Sequence, residues 1–300
     1  MSRMSASLLV LLATLRPVLA EDGSLSQEEI VDTGPIDKAV GKLVRMGAHV
    51  SADGGKITYV SLSDRKLSGD DLALFGLLHD LEILHLRNCR YGDRIFDYVK
   101  AMPHLEHLTL WGSDVTDDGL RSIRKLPLKE LDLRATRVGD AGVAHLRDMK
   151  TLEKLDLLQT RVTDAGMVHL ARLTRLKELS LISTRIGDEG LKHLSALTGL
   201  TELQLEGTRV TAKGLEHIAK LKKLGLLTLH RTAITDKSMA SLSGLKHLET
   251  LYLCDTPITD EGLKHLEKIS SLGVVYLSGT KVSDGGIKRL QRALPDCTIE

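Results

Sequence analysis

The sequence predicts an α/β solenoid in which short strands stack into a parallel sheet along one side and short helices line the other. Three observations predict it. Leucine-type residues recur at Ile57, Leu81, Leu105, Leu128, Leu152, Leu176, Leu200, Leu224, Leu248 and Leu272, 24 residues apart except for one step of 23 beside Pro127. Within each repeat a period of two gives way to a period of three to four, the signatures of a strand and then a helix. Finally, leucine supplies close to a fifth of the 300 residues while aromatics supply 3%. A core so poor in rings reuses one side chain in one role.

The elements follow in order. Residues 1–20, MSRMSASLLVLLATLRPVLA, combine Arg3, an apolar run from Ala6 to Leu15 and small residues up to Ala20. That is the layout of a signal peptide cut near Ala20, with an apolar run too short to cross a bilayer. The reading is therefore a secreted or periplasmic protein without stable membrane insertion. Residues 21–33 read as a flexible acidic tail. In 34–56 we expect an N-terminal cap: a helix from Pro35 with Ile36, Val40, Leu43 and Val44 on its buried face, stopped at Gly47. A hairpin around Asp53-Gly54-Gly55 leads from it into the first sheet strand. About ten repeats occupy 57–295, and a closing strand occupies 296–300.

One repeat reads LEKLDLLQTRVTDAGMVHLARLTR, from Leu152 to Arg175. Positions 4 and 6 alternate with polar neighbours, as in a strand with one buried face. Positions 16, 19 and 22 form a helix stripe. Between them, pairs such as Thr163-Asp164 place a capping hydroxyl and an early carboxylate at a helix start. No repeat can bury its leucines alone, so neighbours must stack and share one core. Helices are bulkier than strands, so the stack is expected to curve with the sheet inside.

LxxLxLxxT followed by VTDxGLxxL resembles the leucine-rich repeat, in a bacterial 24-residue form with Thr at position 9. It is also similar to the repeats of F-box and ribonuclease-inhibitor-like proteins. The resemblance covers residues 57 to about 299 and implies a right-handed arc with a concave sheet and convex helices. For function it implies a binding scaffold with a ligand on the concave face, and no particular ligand.

Several columns could carry chemistry. His145, His169, His193, His217 and His265 share one helix position, but helices about 8–10 Å apart are too wide for two rings to share an ion. No metal is expected, and no cofactor. The threonines at position 9, from Thr136 to Thr280, are expected to satisfy buried backbone donors. The glycines at position 15 suggest backbone packed too closely for a side chain. Cys89, Cys254 and Cys297 show no zinc spacing and form no disulfide framework. With 41 basic against 40 acidic residues the net charge is +1, which argues against nucleic acid as a partner.

The exposed sheet columns at positions 5 and 7 give the site expectation: His85, Arg87, Trp111, Asp132, Arg134, Asp156, Leu158 and Ile182. Trp and Arg are enriched at binding hot spots, and this is the chain's single Trp. Asp132 and Asp156, on successive strands, have a separation that would suit a glycosidase pair. Their shallow, solvated face and the neighbouring Arg134 and Lys154 argue against catalysis, and Glu130, Glu178 and Glu202 are expected to form an acidic rim. The reading is a monomeric, non-catalytic scaffold for a protein or peptide. The alternatives are substrate recognition in an F-box-like ubiquitin ligase, and glycan or cell-envelope binding.

Overall fold

The computed structural model describes residues 34–300. The expected leader and acidic tail lie outside the described residues. The chain divides into two compact units, with the boundary between Asp132 and Leu133.

The first unit opens with helix α1 (Pro35–Arg45), which buries Ala39, Val40, Leu43 and Val44. Ile36 does not join that face and is 45% exposed, because the first turn presents Asp37 inward instead. Strands β1 (His49–Asp53) and β2 (Lys56–Ser63) pair antiparallel across Gly54 and Gly55, both with positive φ. Two such residues match the right-handed strand twist, which is why a glycine pair sits there. β3 (Ile83–Arg87), β4 (His107–Thr109) and β5 (Glu130–Asp132) follow in parallel. Helices α2 (Gly69–Phe75), α3 (Phe96–Val99) and α4 (Asp117–Ile123) line the other side. The chain's two phenylalanines, Phe75 and Phe96, occupy stripe positions held elsewhere by smaller apolar side chains and are at most 1% exposed. They fill the irregular early repeats.

In the second unit, helices α5 (Asp140–Leu146), α6 (Asp164–Leu170), α7 (Asp188–Leu194) and α8 (Ala212–Ile218) repeat with little change. The next, α9 (Asp236–Met239), has four residues and continues as a 3-10 turn. α10 (Asp260–Leu266) restores the pattern, and α11 (Asp284–Ala293) is longer. Strands β6 (Lys154–Asp156), β7 (Glu178–Ser180), β8 (Glu202–Gln204), β9 (Leu226–Thr228), β10 (Thr250–Tyr252), β11 (Val274–Tyr276) and β12 (Thr298–Ile299) pair in parallel. Their register joins each residue to the one 24 further on, as Leu179 to Leu203. Side chains such as Leu179 and Leu181 are at most 1% exposed. Full burial of each leucine contributes about 1.5–3 kcal/mol, and only stacked repeats achieve it.

Backbone geometry repeats as strictly as the side chains. All ten residues at position 8 have positive φ, from Asp64 to Gly279. The N–H groups of eight of them donate across to the next repeat, as Gln159 to the Ile182 carbonyl and Ser183 to that of Glu206. Each such residue is therefore held left-handed whatever its side chain. The threonine column behaves differently from expectation. Its hydroxyls donate to a backbone acceptor three residues earlier, as Thr160 to the Leu157 carbonyl at 2.7 Å and Thr184 to Leu181 at 2.6 Å. Position 9 therefore satisfies buried carbonyls, not buried N–H donors.

The glycine column has a similar correction. A Cβ at Gly166, Gly190, Gly214, Gly262 or Gly286 would lie 2.3–2.6 Å from a carboxylate oxygen of the preceding repeat's aspartate. A side chain, not backbone, occupies that space. Each aspartate uses it to bond the next repeat: Asp188 accepts from Thr211 N at 2.8 Å, Thr211 Oγ1 at 2.6 Å and Gly214 N at 3.0 Å.

Candidate functional site

The sheet face of the first unit carries four of the expected residues: His85, Arg87, Trp111 and Asp132. His85 lies 3.4 Å from Arg87 through Nδ1 and Nη2, and its ring meets Tyr59 edge-on at 5.6 Å. Tyr59 in turn meets His49 edge-on at 5.7 Å, extending the aromatic patch to the hairpin. Burial lowers the His85 pKa, and the charges of Arg87 and His107 lower it further against Asp132 and Glu130. His85 is thereby biased toward the neutral ring. Trp111 is 36% exposed and lies two residues beyond the end of β4, after the buried Leu110. Its carbonyl accepts from Asn88 N at 2.7 Å, and Gly112 has φ of 69°. A Cβ at Gly112 would stand 2.1 Å from Asn88 Oδ1, so the Asn88 side chain occupies the space that a side chain at Gly112 would take.

In the second unit lie Arg134, Asp156, Leu158 and Ile182. Arg134 Nε approaches Asp156 Oδ2 at 3.4 Å, while Asp156 Oδ1 accepts from Leu158 N at 3.0 Å. The carboxylate is thus neutralised and oriented, which suits recognition better than proton transfer. Leu158 and Ile182 are half-buried, short of the exposed apolar stripe expected of them. Thr109, Ser180 and Thr228 are buried as well, because larger neighbours on adjacent strands overshadow short side chains. Tyr252 and Tyr276 stack at 4.2 Å with planes 3° apart, and His230 lies 5.0 Å from Tyr252. The stack covers one face of each tyrosine ring. Cys254 is half-buried, while Cys89 and Cys297 are buried, and all three are free thiols. Burial raises the pKa of each.

Two features of these faces were missed from sequence. One is a lacing of ion pairs between repeats: Glu106 with Lys129 and Glu153 with Lys177, each at 2.6 Å, and Lys154 with Glu178 at 2.6 Å. His107 meets Glu130 at 3.3 Å. Opposite charges 23 or 24 residues apart were the available signal. Of the expected acidic rim, Glu178 is paired with Lys154 and Glu130 meets His107, while Glu202 has no ion pair among the described residues. The second is an open groove of about 660 Å³ lined by Thr201, Glu202, Lys223, Gly225, Leu226, His247, Glu249 and Thr250. Gly225 and Leu226 supply no cation there. Burial raises the Glu202 pKa, and the Glu178 charge raises it further.

Among the described residues no three metal-ligating side chains come together, and the five column histidines are half-buried one per helix. No described helix is long and apolar enough to cross a membrane.

This architecture defines a class: a stack of strand–helix repeats with a parallel sheet on one side and short helices on the other. The repeats themselves are leucine-rich repeats. The family model described as Leucine Rich repeat matches residues 173–195 and 244–266. Among solved structures, an internalin C2 from Listeria monocytogenes is similar at 20% identity and a TM-score of 0.53, over 91% of this chain and 100% of that one. A second internalin from the same organism, inlF, is 17% identical with a TM-score of 0.51, over 89% and 96%. The plant peptide hormone receptor RGFR1, solved in complex with RGF2, is 16% identical with a TM-score of 0.51. That match covers 80% of this chain and 42% of the receptor, so the chain spans less than half the receptor's length. At these identities the likeness establishes the fold alone.

Proposed function

We propose that this chain is an exported, monomeric, non-catalytic scaffold that binds a protein or peptide on the solvent-facing side of its sheet. The observation that carries the reading is Trp111. The core is filled by leucine, yet the single indole stands at the surface beside Arg87 and His85. Arg134, Asp156, Leu158 and Ile182 supply a contact surface on the second unit. A solved fold relative holding a peptide hormone supports the ligand class. Stacking of Tyr252 on Tyr276 covers one face of each ring and so narrows the open aromatic surface a sugar platform needs. The Arg134–Asp156 pair weighs against hydrolysis. Export rests on the pattern of residues 1–20, and N-terminal sequencing of the natural protein tests it: a mature chain starting near Glu21 supports export, an intact Met1 refutes it.

Affinity capture with the full chain identifies the ligand. Trp111→Ala then tests the first unit and Arg134→Ala the second, each expected to weaken binding about tenfold or more. Unchanged affinity in both would remove the sheet face as the site.

A further inference from the structure

Unit two contains eleven arginines, and their partners separate them into two groups. Six make ion pairs: Arg134, Arg147, Arg172, Arg175, Arg231 and Arg289. Of the five with none among the described residues, four are Arg137, Arg161, Arg185 and Arg209, which share repeat position 10 and are all exposed. Their backbones are tied in line, since Arg161 N donates to Val138 O, Arg185 N to Val162 O and Arg209 N to Ile186 O. The exposed residues beside them at position 8 are Ala135, Gln159, Ser183 and Gly207, none of them acidic. The carboxylates closest in sequence are already engaged: Asp140 with Thr163, Asp164 with Gly187, Asp188 with Thr211 and Glu206 with Arg231.

We propose that this arginine column is a docking strip for an extended acidic segment of a protein partner. Four guanidinium groups on successive repeats, about 5 Å apart, repel one another, and an anionic ligand converts that repulsion into attraction. The near-zero net charge hides this strip, because its charge is balanced elsewhere on the surface. The geometry favours a polypeptide. The column spans about 15 Å, and three acidic side chains at alternate positions of an extended chain span about 14 Å, within reach of flexible arginines. Each carboxylate can take a two-pronged guanidinium contact. A single strand of nucleic acid is bound with aromatic side chains on which bases stack, and none flanks this column. The strip stands on observations separate from the sheet-face reading, so either can fail alone.

The test uses the full chain and three fluorescent probes: a peptide of alternating Glu and Ser, its Gln and Ser counterpart, and an oligothymidylate of similar length. Expected is binding of the Glu peptide at low salt, weakened about tenfold or more in Arg161→Gln/Arg185→Gln and weakened also by added salt. The Gln peptide is expected not to bind. Both arginines are exposed, and a melting temperature within a degree or two of the parent confirms the variant is folded. The proposal is overturned if the Glu and Gln peptides behave alike, or if the variant binds as the parent does. Tighter binding of the oligothymidylate than of the Glu peptide also overturns it, and assigns the strip to nucleic acid.

Discussion

Two stretches of the second unit are built on one period and handle the same contact in opposite ways. In the repeats around α7 and α8, Asp188 reaches forward into the next repeat, and Gly214 lacks a side chain because the carboxylate fills that space. One repeat further on, the aspartate position holds Ala212 and the glycine position holds Ser238. There Thr235 N donates to Ser238 Oγ at 3.0 Å, and that hydroxyl donates back to Thr235 O. A local serine has replaced a carboxylate from the neighbouring repeat. The helix there, α9, is the short one that relaxes into a 3-10 turn. The pairing of acid with glycine is thus one rule, not two independent habits of the repeat.

Removing the acid where it is used should have the largest effect. Asp188→Ala deletes three hydrogen bonds from a charged acceptor to partly buried donors in the next repeat. We expect a loss of about 2–3 kcal/mol in urea unfolding, with faster amide exchange at Thr211 and Gly214. A loss below about 0.5 kcal/mol would mean that water replaces the carboxylate at little cost.

Next in size is Gly214→Ala. A helix-interior glycine replaced by alanine normally gains about 1 kcal/mol. Here the new Cβ would sit 2.5 Å from Asp188 Oδ1 and 2.9 Å from Leu191 Cδ1, so we expect a loss of about 1–3 kcal/mol instead. The stronger check is transplantation: Gly214→Ser should cost much less when combined with Asp188→Ala, because the pair then reproduces Ala212 with Ser238. A coupling of about 1–2 kcal/mol is expected from the double-mutant cycle. Additive losses would show that the glycine answers to something other than the aspartate.

The reverse graft should stabilise. Ala212→Asp with Ser238→Gly restores the inter-repeat bond to Thr235, with an expected gain of about 1 kcal/mol. Ala212→Asp alone should be neutral or harmful, since Ser238 occupies the seat. Calorimetry of the three variants separates these cases.

How far the sequence could be read follows from the same contrast. The 24-residue register, the strand leucines such as Leu179 and Leu203 and the helix stripes were legible because they depend on spacing alone. The glycine and threonine columns were visible, but their partners were not, since one sequence does not say whether Gly214 yields to backbone or to a carboxylate 26 residues earlier. Ser238 opposite Ala212 was the readable clue. Of the candidate site, Trp111 and its neighbours were assigned to the sheet face by alternation, while the half-burial of Leu158 and Ile182 depends on the sizes of neighbouring side chains. The Glu202 groove was out of reach because it comes from what Gly225 and Leu226 fail to supply.

That groove gives the smallest and most conditional effect. Glu178 has Lys154, whereas Glu202, one strand on, has no ion pair among the described residues. Burial and the Glu178 charge raise its pKa, so the folded state holds the proton more tightly than the unfolded chain does. Stability should therefore fall as pH rises from the ordinary carboxylate range through the raised value, and recover on acidification. Glu202→Gln removes the penalty and is expected to gain a few tenths of a kcal/mol at neutral pH. The gain should vanish below the unfolded carboxyl's pKa, where the native glutamate is protonated too. Melting curves across that range decide it. A variant less stable than the parent at neutral pH would show that Glu202 is held by a cation such as Lys223, and the contrast between the laced repeats and the groove would collapse.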